Sequence, residues 1–305
     1  MKNLNNIDFL KFTGRQESQY LEPVSTFRSD IHDIFDDGVL NFGDTLPWGK
    51  THDNFRLRPN EVTLWAGING HGKSLVTSHV MAHLMKTKRC LSASLEMPIN
   101  RTCQRMLKQI AGTSNPPHDF RNLMIDWTDD RMWVYDQLDT VASERIIGMC
   151  IYALNELKLD HIFIDSLMKC GIPNKDTEKM QAFIDRLMWV AKNSPHGHIH
   201  LIHHIRKGES EDTIPNKFDV KGAGEITDMV DNVCIVWKNK KKQRMIENGD
   251  TVDKMIPDGV VNVEKQRHGE WEGKIALYFD KPSGQFKGSP DGRVEWFDVK
   301  EDKAA

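Results

Sequence analysis

Cysteine is scarce and dispersed in this chain. The five cysteines, Cys90, Cys103, Cys150, Cys170 and Cys234, form no Cys-x-x-Cys pair. That argues against a zinc ribbon or a disulfide framework and for a reducing compartment. No run of 18 apolar residues exists, so no transmembrane helix is expected. The segment Met1 to Asp8 lacks the apolar core of a signal peptide and the Arg-rich, acid-poor pattern of a transit peptide. A cytoplasmic location, in a bacterial cell or a phage-infected host, is expected. An excess of one charge is also missing, since 41 Lys and Arg face 44 Asp and Glu for a formal net charge of −3. Any nucleic-acid contact must therefore come from a local concentration of cations. Internal repeats and low-complexity tracts are absent as well.

The chain does have Gly67-Ile68-Asn69-Gly70-His71-Gly72-Lys73-Ser74, a complete G-x-x-x-x-G-K-[ST] phosphate loop. An apolar run, Val62 to Ala66, precedes it and reads as a buried strand. Leu75 to Met85 follows with the apolar spacing of a helix. The glycines let successive backbone N–H groups turn inward around phosphates, and the helix N-terminus adds its positive dipole end. Lys73 is expected to reach the same phosphates and Ser74 to ligate Mg²⁺. Gly67, Asn69, Gly70, His71, Gly72 and Leu75 complete the candidate contacts to ATP or another NTP or dNTP.

Three regions are expected: an extension or linker over 1–58, a main domain over 59–298 and a polar tail over 299–305. In the first, Ile31, Ile34 and Phe35 suggest one short apolar helix face. In the second, strand patterns at 62–66, 90–95, 132–136, 161–165, 198–203, 232–237, 259–265 and 275–279 alternate with helical patterns. The helices are expected at 73–86, 98–112, 143–158 and 176–193. Such alternation predicts an α/β fold with a mostly parallel central sheet flanked by helices. The later strands lack long helices between them and predict an antiparallel C-terminal extension.

Several constellations carry chemistry beside bland alternatives. Glu96, in Ser94-Leu95-Glu96-Met97-Pro98, is expected at the end of the strand neighbouring the phosphate-loop strand, where it would polarise a water. It reads equally as an N-terminal helix glutamate. Asp165 ends the apolar run His161-Ile162-Phe163-Ile164, the form of a strand delivering one carboxylate to Mg²⁺. The histidines from His196 to His204 invite a metal reading, but no carboxylate or cysteine sits beside them at ligand spacing. A single sensor at the strand end, His204 or His203, is the preferred reading, with the others as surface or satisfied core residues. The stretch from Arg206 to Glu225 carries Arg206, Lys207, Lys217, Lys221, Gly222 and Gly224, which suit a phosphodiester backbone. Its alternative is a solvated loop. Lys265 and Arg267, two residues apart at a strand end, form either a Lys/Arg finger for a γ-phosphate or an exposed basic end. Lys238 to Arg244 is a short basic run between strands.

These pieces, in this order, resemble the RecA-like motor domain of hexameric replicative helicases: bacterial DnaB, mitochondrial Twinkle and phage primase–helicases. The match rests on Ser94-Leu95-Glu96-Met97-Pro98 with Arg105-Met106-Leu107, on Asp219 to Gly224 with Asp228 to Asp231, and on Lys265 to Gly269. It spans about Asp44 to Phe286. The resemblance implies that Lys73 and Ser74 bind phosphate and Mg²⁺, Glu96 activates water, Asp165 supports Mg²⁺ and His204 is the sensor. Lys265 and Arg267 would complete the ATP site of the adjacent subunit. Arg206, Lys207, Lys221 and Gly222 would face single-stranded DNA, and Phe279 would stack on the nucleotide base. His71 stands where the family commonly has a small residue. Neither the family's zinc-binding motif nor room for its N-terminal domain is found, so priming is expected from a separate polypeptide. A separate polymerase is a further expected partner. The first 58 residues are the candidate for packing on a neighbour.

The leading expectation is a ring-forming helicase, a hexamer on single-stranded DNA at a replication fork, driven by NTP hydrolysis. A RecA- or RadA-like recombinase is the alternative in the same fold. A nucleotide-dependent replisome scaffold that unwinds nothing is the alternative in another class.

Overall fold

The computed structural model describes residues 22–37, 42–173, 176–205, 211–220 and 223–300. The chain divides at Phe42/Gly43 into two units. In the first, a single turn at Val24–Phe27 leads into helix α1, Arg28–Asp37. Phe35 on α1 is 81% exposed.

The second unit is built on nine strands. In chain order they are β1 Val62–Gly67, β2 Cys90–Ser94, β3 Met132–Val134, β4 His161–Asp165, β5 His198–His204, β6 Asn232–Lys238, β7 Gly259–Gln266, β8 Gly273–Asp280 and β9 Gln285–Lys287. They line up as β3-β2-β4-β5-β1-β6-β7-β8-β9. Pairing is parallel from β3 to β6 and antiparallel from β6 to β9. All six residues of β1 are buried, as a strand covered on both faces requires. Alternate residues sort to opposite faces: Leu64, Ile164 and Leu201 join one core, and Trp65, Phe163 and Ile202 the other.

The helices are α2 Lys73–Leu84, α3 Ile99–Ala111, α4 His118–Thr128, α5 Ser143–Asn155, α6 Thr177–Lys192, α7 Ala223–Met229 and α8 Lys240–Glu247. Each expected strand and helix of the main domain is found within a few residues. Helices α4, α7 and α8 and strand β9 had no counterpart in the sequence pattern. The basic run at Lys238–Arg244 enters α8, whose N-cap Asn239 accepts from the Lys242 N–H at 2.9 Å. Lys242 Nζ in turn meets Asp258 at 2.7 Å. An asparagine cap and an acidic neighbour offset three lysines placed against the helix dipole.

One expectation needs correction. β2 does not neighbour the phosphate-loop strand: β4 and β5 lie between it and β1. The β1–α2–β2 crossover skips two strand positions, and the later βα units fill them. Spacing along the chain carries no record of such a skip.

Residues 44–57 are part of the same compact unit. Leu46, Trp48, Phe55 and Leu57 are buried in the core, and Asp44 bridges Leu57. Trp48 Nε1 donates to Phe286 O at 2.6 Å. A buried amide, Gln109, fastens α3 to its surroundings. It accepts from Ser78 Oγ at 2.8 Å and donates to Leu75 O and Gly284 O. Gln285 Nε2 reaches Gln109 O at 2.7 Å. Because Leu75 and Ser78 lie on α2, this network holds α2, α3 and β9 in fixed relation.

Candidate active site

The phosphate loop leaves β1 at its C-terminal edge. Gly67 is required by close approach, since a Cβ there would fall 2.4 Å from Val236 O. Gly70 and Gly72 have φ of 78° and 84°, a region that side chains other than glycine adopt at a cost. Gly72 is the N-cap of α2 and has no side chain to offer, so the first helical N–H groups stay open to an anion. His71 is buried at 2% exposure and accepts from the Lys238 N–H at 3.2 Å through Nδ1. The imidazole thereby ties the loop to the end of β6. Burial, with Lys240, Lys73 and Lys238 nearby, lowers its pKa to about 4, so it is neutral.

Lys73 Nζ donates to Gly67 O at 2.9 Å and Ile68 O at 3.2 Å. Burial lowers its pKa to about 8, against the opposing pull of Asp165 and Glu96. Ser74 hydrogen-bonds Asp165, whose carboxyl burial pushes upward. A hydroxyl and a carboxylate side by side at the loop are hard oxygen donors that suit Mg²⁺.

Glu96 follows β2 and faces the same space. Ser166 Oγ donates to Glu96 Oε1, and His204 Nε2 lies 3.4 Å from that oxygen. The His204 contact, with help from Ser166 and Lys73, overcomes burial and holds the Glu96 carboxyl down at about 2. A cavity of about 1030 Å³ collects Asn69, Gly70, Gly72, Lys73, Ser74, Leu75, Glu96, Asp165 and His204. Four different strand ends thus deliver the expected phosphate, water and metal groups to one crevice, at the carboxyl edge where α/β sheets bind ligands.

A second cavity of about 570 Å³ shares Gly70, Gly72 and Leu75 with the first and contains His71 and Phe279. Phe279 is 38% exposed, and its ring lies 5.2 Å from Phe286.

This arrangement agrees with a match over residues 54–210 to the family model described as AAA domain. The chain belongs to the AAA domain family. Within that family its fold is that of the RecA-like helicase motor. The solved ATPase domain of a helicase superposes with a TM-score of 0.71 at 14% identity, covering 88% of this chain and 99% of that chain. A DnaB-like replicative helicase, from a structure titled for its interactions with primase, gives 0.68 at 14% identity, with 88% and 67% covered. The comparison with curated proteins gave no match.

Other expected residues of this AAA domain fall elsewhere. Lys265 Nζ donates to Thr227 O, Asp228 O and Val230 O at 2.7–3.0 Å. Arg267 reaches Asp228 O and Met229 O at 3.2 and 2.8 Å. Both cations therefore cap the C-terminus of α7, where the helix dipole is negative. Lys265 pairs with Val233 near the start of β6, at the sheet edge opposite the phosphate loop.

Lys217 is half-buried and turned towards Glu264 O at 3.4 Å. Gly224 lies in the first turn of α7, where a loop was expected. Arg206, Lys207, Lys221 and Gly222 lie outside the described residues.

The histidine-rich strand holds no metal group, nor does any other cluster among the described residues. His198 and His200 are buried and satisfied. His198 meets Thr63 Oγ1 at 2.8 Å, and His200 accepts from Trp65 Nε1 and contacts His161, both at 3.1 Å.

Arg105 was quoted in the sequence only as part of a resemblance, yet it lines the crevice. Its NH2 contacts Met97 Sδ at 3.3 Å, and burial lowers its pKa. The signal was available: Pro98, Thr102 and Arg105 fall at helical spacing on one face of α3. Ser166 could not have been found so, because its role depends on β2 and β4 being neighbours.

Among the described residues, no helix is long and apolar enough to cross a membrane.

Proposed function

We propose that this chain is the motor of a ring-forming DNA helicase that couples NTP hydrolysis to movement along single-stranded DNA. The observation that carries the proposal is the separation of Lys265 and Arg267 from their own phosphate loop. Arg267 N donates to Asp231 O, and Asp231 N to Val62 O. Val62 and Gly67 are the two ends of β1, about 17 Å apart at strand rise. A cation pair at that distance serves a neighbouring subunit's nucleotide, and a closed ring gives every subunit such a neighbour. Hexameric assembly is the form of closure proposed here.

In the chemical step, Lys73 and the loop N–H groups hold the β- and γ-phosphates. Ser74 and Asp165 hold Mg²⁺, which neutralises charge developing on the phosphate oxygens. Glu96 orients a water whose oxygen attacks the γ-phosphorus as the bond to the β-phosphate oxygen breaks. At a pKa of about 2 this carboxylate is a poor proton acceptor. When His204 turns to the γ-phosphate, Glu96 loses its chief stabiliser and becomes more basic. The proton then passes through Glu96 to the released phosphate. His204 in this way reports the state of the nucleotide to the catalytic carboxylate.

Phe279 stacks on the base. The segment 206–224, with Lys217, grips the DNA backbone inside the ring without reading sequence. Residues 1–58 are assigned to packing between subunits, 59–298 to the motor and 299–305 to a polar tail. The work belongs to the cytoplasm of a bacterium or an infected host, beside a separate primase and polymerase. A strand-displacement assay on a forked substrate with Mg²⁺ and NTP tests the proposal. Unwinding that is lost in Lys73→Ala supports it. Hydrolysis without unwinding, in a protein verified as assembled, overturns it in favour of a scaffold.

A further inference from the structure

The cavity beside the phosphate loop contains two buried polar atoms whose hydrogen-bonding capacity nothing among the described residues uses. One is Gln243 Oε1. Gln243 projects from α8 into the wall of this cavity. Its Nε2 donates to Glu247 Oε1 at 2.6 Å. That bond decides the amide's orientation, since the reverse would set the amide oxygen against a carboxylate oxygen. The acceptor end is therefore fixed away from Glu247. The second atom is His71 Nε2. Because Nδ1 accepts the Lys238 N–H, the neutral ring carries its proton on Nε2. One cavity thus presents an acceptor that cannot flip and a donor that cannot move. Phe279 lines the same cavity.

Buried polar atoms left unpaired are costly, and a ligand that pairs them recovers that cost. We infer that Gln243 is a specificity-determining residue that makes this site favour nucleotides with an exocyclic amino group. Adenine and cytosine present an amino donor beside a ring-nitrogen acceptor, the complement of Gln243 Oε1 and His71 Nε2–H. Guanine and uracil present a carbonyl oxygen beside a ring N–H, which opposes both atoms. The keto bases are thereby disfavoured through repulsion as well as through a missing bond. The inference rests on the proposed nucleotide site and deepens it.

Two pairs of nucleotides isolate this recognition, ATP against inosine triphosphate and CTP against UTP, because each pair differs only at this edge. The measurement is kcat/KM for each, with the full-length protein and Mg²⁺. The unsubstituted protein should favour the amino member of each pair on the order of tenfold. Gln243→Ala should bring both ratios close to one while triphosphate hydrolysis persists. Glu247→Ala should do the same, because the released amide can turn its NH₂ to a keto oxygen. Gln243→Lys replaces the acceptor with a donor and should invert the preference. Equal rates within each pair for the unsubstituted protein, or a preference that survives Gln243→Ala, would overturn the inference while leaving the nucleotide site intact. Failure of the site itself has a different signature: no triphosphate of any base is turned over, and Lys73→Ala changes nothing.

Discussion

Arg267 Nε lies 3.3 Å from Oδ1 of Asp231, a carboxylate only 1% exposed. The other oxygen of Asp231 accepts the backbone N–H of Val62 at 2.9 Å, the first residue of the phosphate-loop strand. The base of the finger is therefore clamped to the far end of the strand that holds the subunit's own nucleotide.

This placement predicts complementation between two inactive proteins. Arg267→Ala and Lys73→Ala should each abolish DNA-stimulated hydrolysis. Mixed in assembled rings, they should recover part of it wherever an intact loop meets an intact finger. Hydrolysis measured across mixing ratios checks this, with mixed rings confirmed by mass. Flat zero activity at every ratio would count against action in trans.

Glu96→Gln keeps the side chain's shape and removes its charge. Nucleotide affinity should change less than about threefold, while kcat falls by about 10² or more, the range for losing a general base. Equilibrium binding and single-turnover hydrolysis separate the two effects. Turnover within a few-fold of the unsubstituted protein would assign water activation to another residue.

Lys73 makes nucleotide binding pH-dependent. Its pKa stands at about 8 in place of 10.5 because the ammonium is buried. Bound phosphate favours the charged form and raises that value. Above pH 8 the unliganded lysine has lost its proton, so binding must take one up. Calorimetry in buffers of different ionisation enthalpy should find uptake approaching about one proton near pH 9 and close to none near pH 6.5. Affinity should fall as pH rises through 8. Protein stability moves the other way: the unfolded chain holds the extra proton between pH 8 and 10.5, so this group's penalty fades as pH rises through that window.

Lys221→Ala tests the DNA grip. Removing one phosphate partner per subunit should lower the slope of log affinity against log salt by about one for each phosphate no longer neutralised. Several such loops on one strand multiply the effect, so the assembled protein should suffer more than a single subunit. Unchanged affinity and slope would move the grip to the basic residues from Lys238 to Arg244.

The legible parts of this molecule were those that local chemistry dictates. The phosphate loop needs glycine at positions 67, 70 and 72 for reasons of close approach and positive φ, so its pattern survives in one short string. Asp165 and His204 end apolar runs and announce themselves as strand-end groups. Relationships set by tertiary order were not legible. Ser166 meets Glu96 only because β4 lies beside β2, and the skipped strand positions leave no trace in spacing. Helix α8 was read as a loop because three lysines in its first turn oppose the dipole, and Asp258, which offsets them, lies beyond the helix in the chain. Gln243 looked like one more polar surface residue, since its meaning depends on a wall shared with β8.

The strand order also sets a ruler for catalysis. From β1 to β2 there are three inter-strand steps, each of about 4.8 Å, so the backbones carrying Lys73 and Glu96 stand roughly 14 Å apart. Side chains reaching inward from both banks leave a gap sized for a phosphoryl group and one water. That gap is counted in whole strands, and neither loop motion nor side-chain substitution can change the count. Only the twist between neighbouring strands is adjustable, and a few degrees at each of three steps would bring the water into line with the phosphorus or take it out.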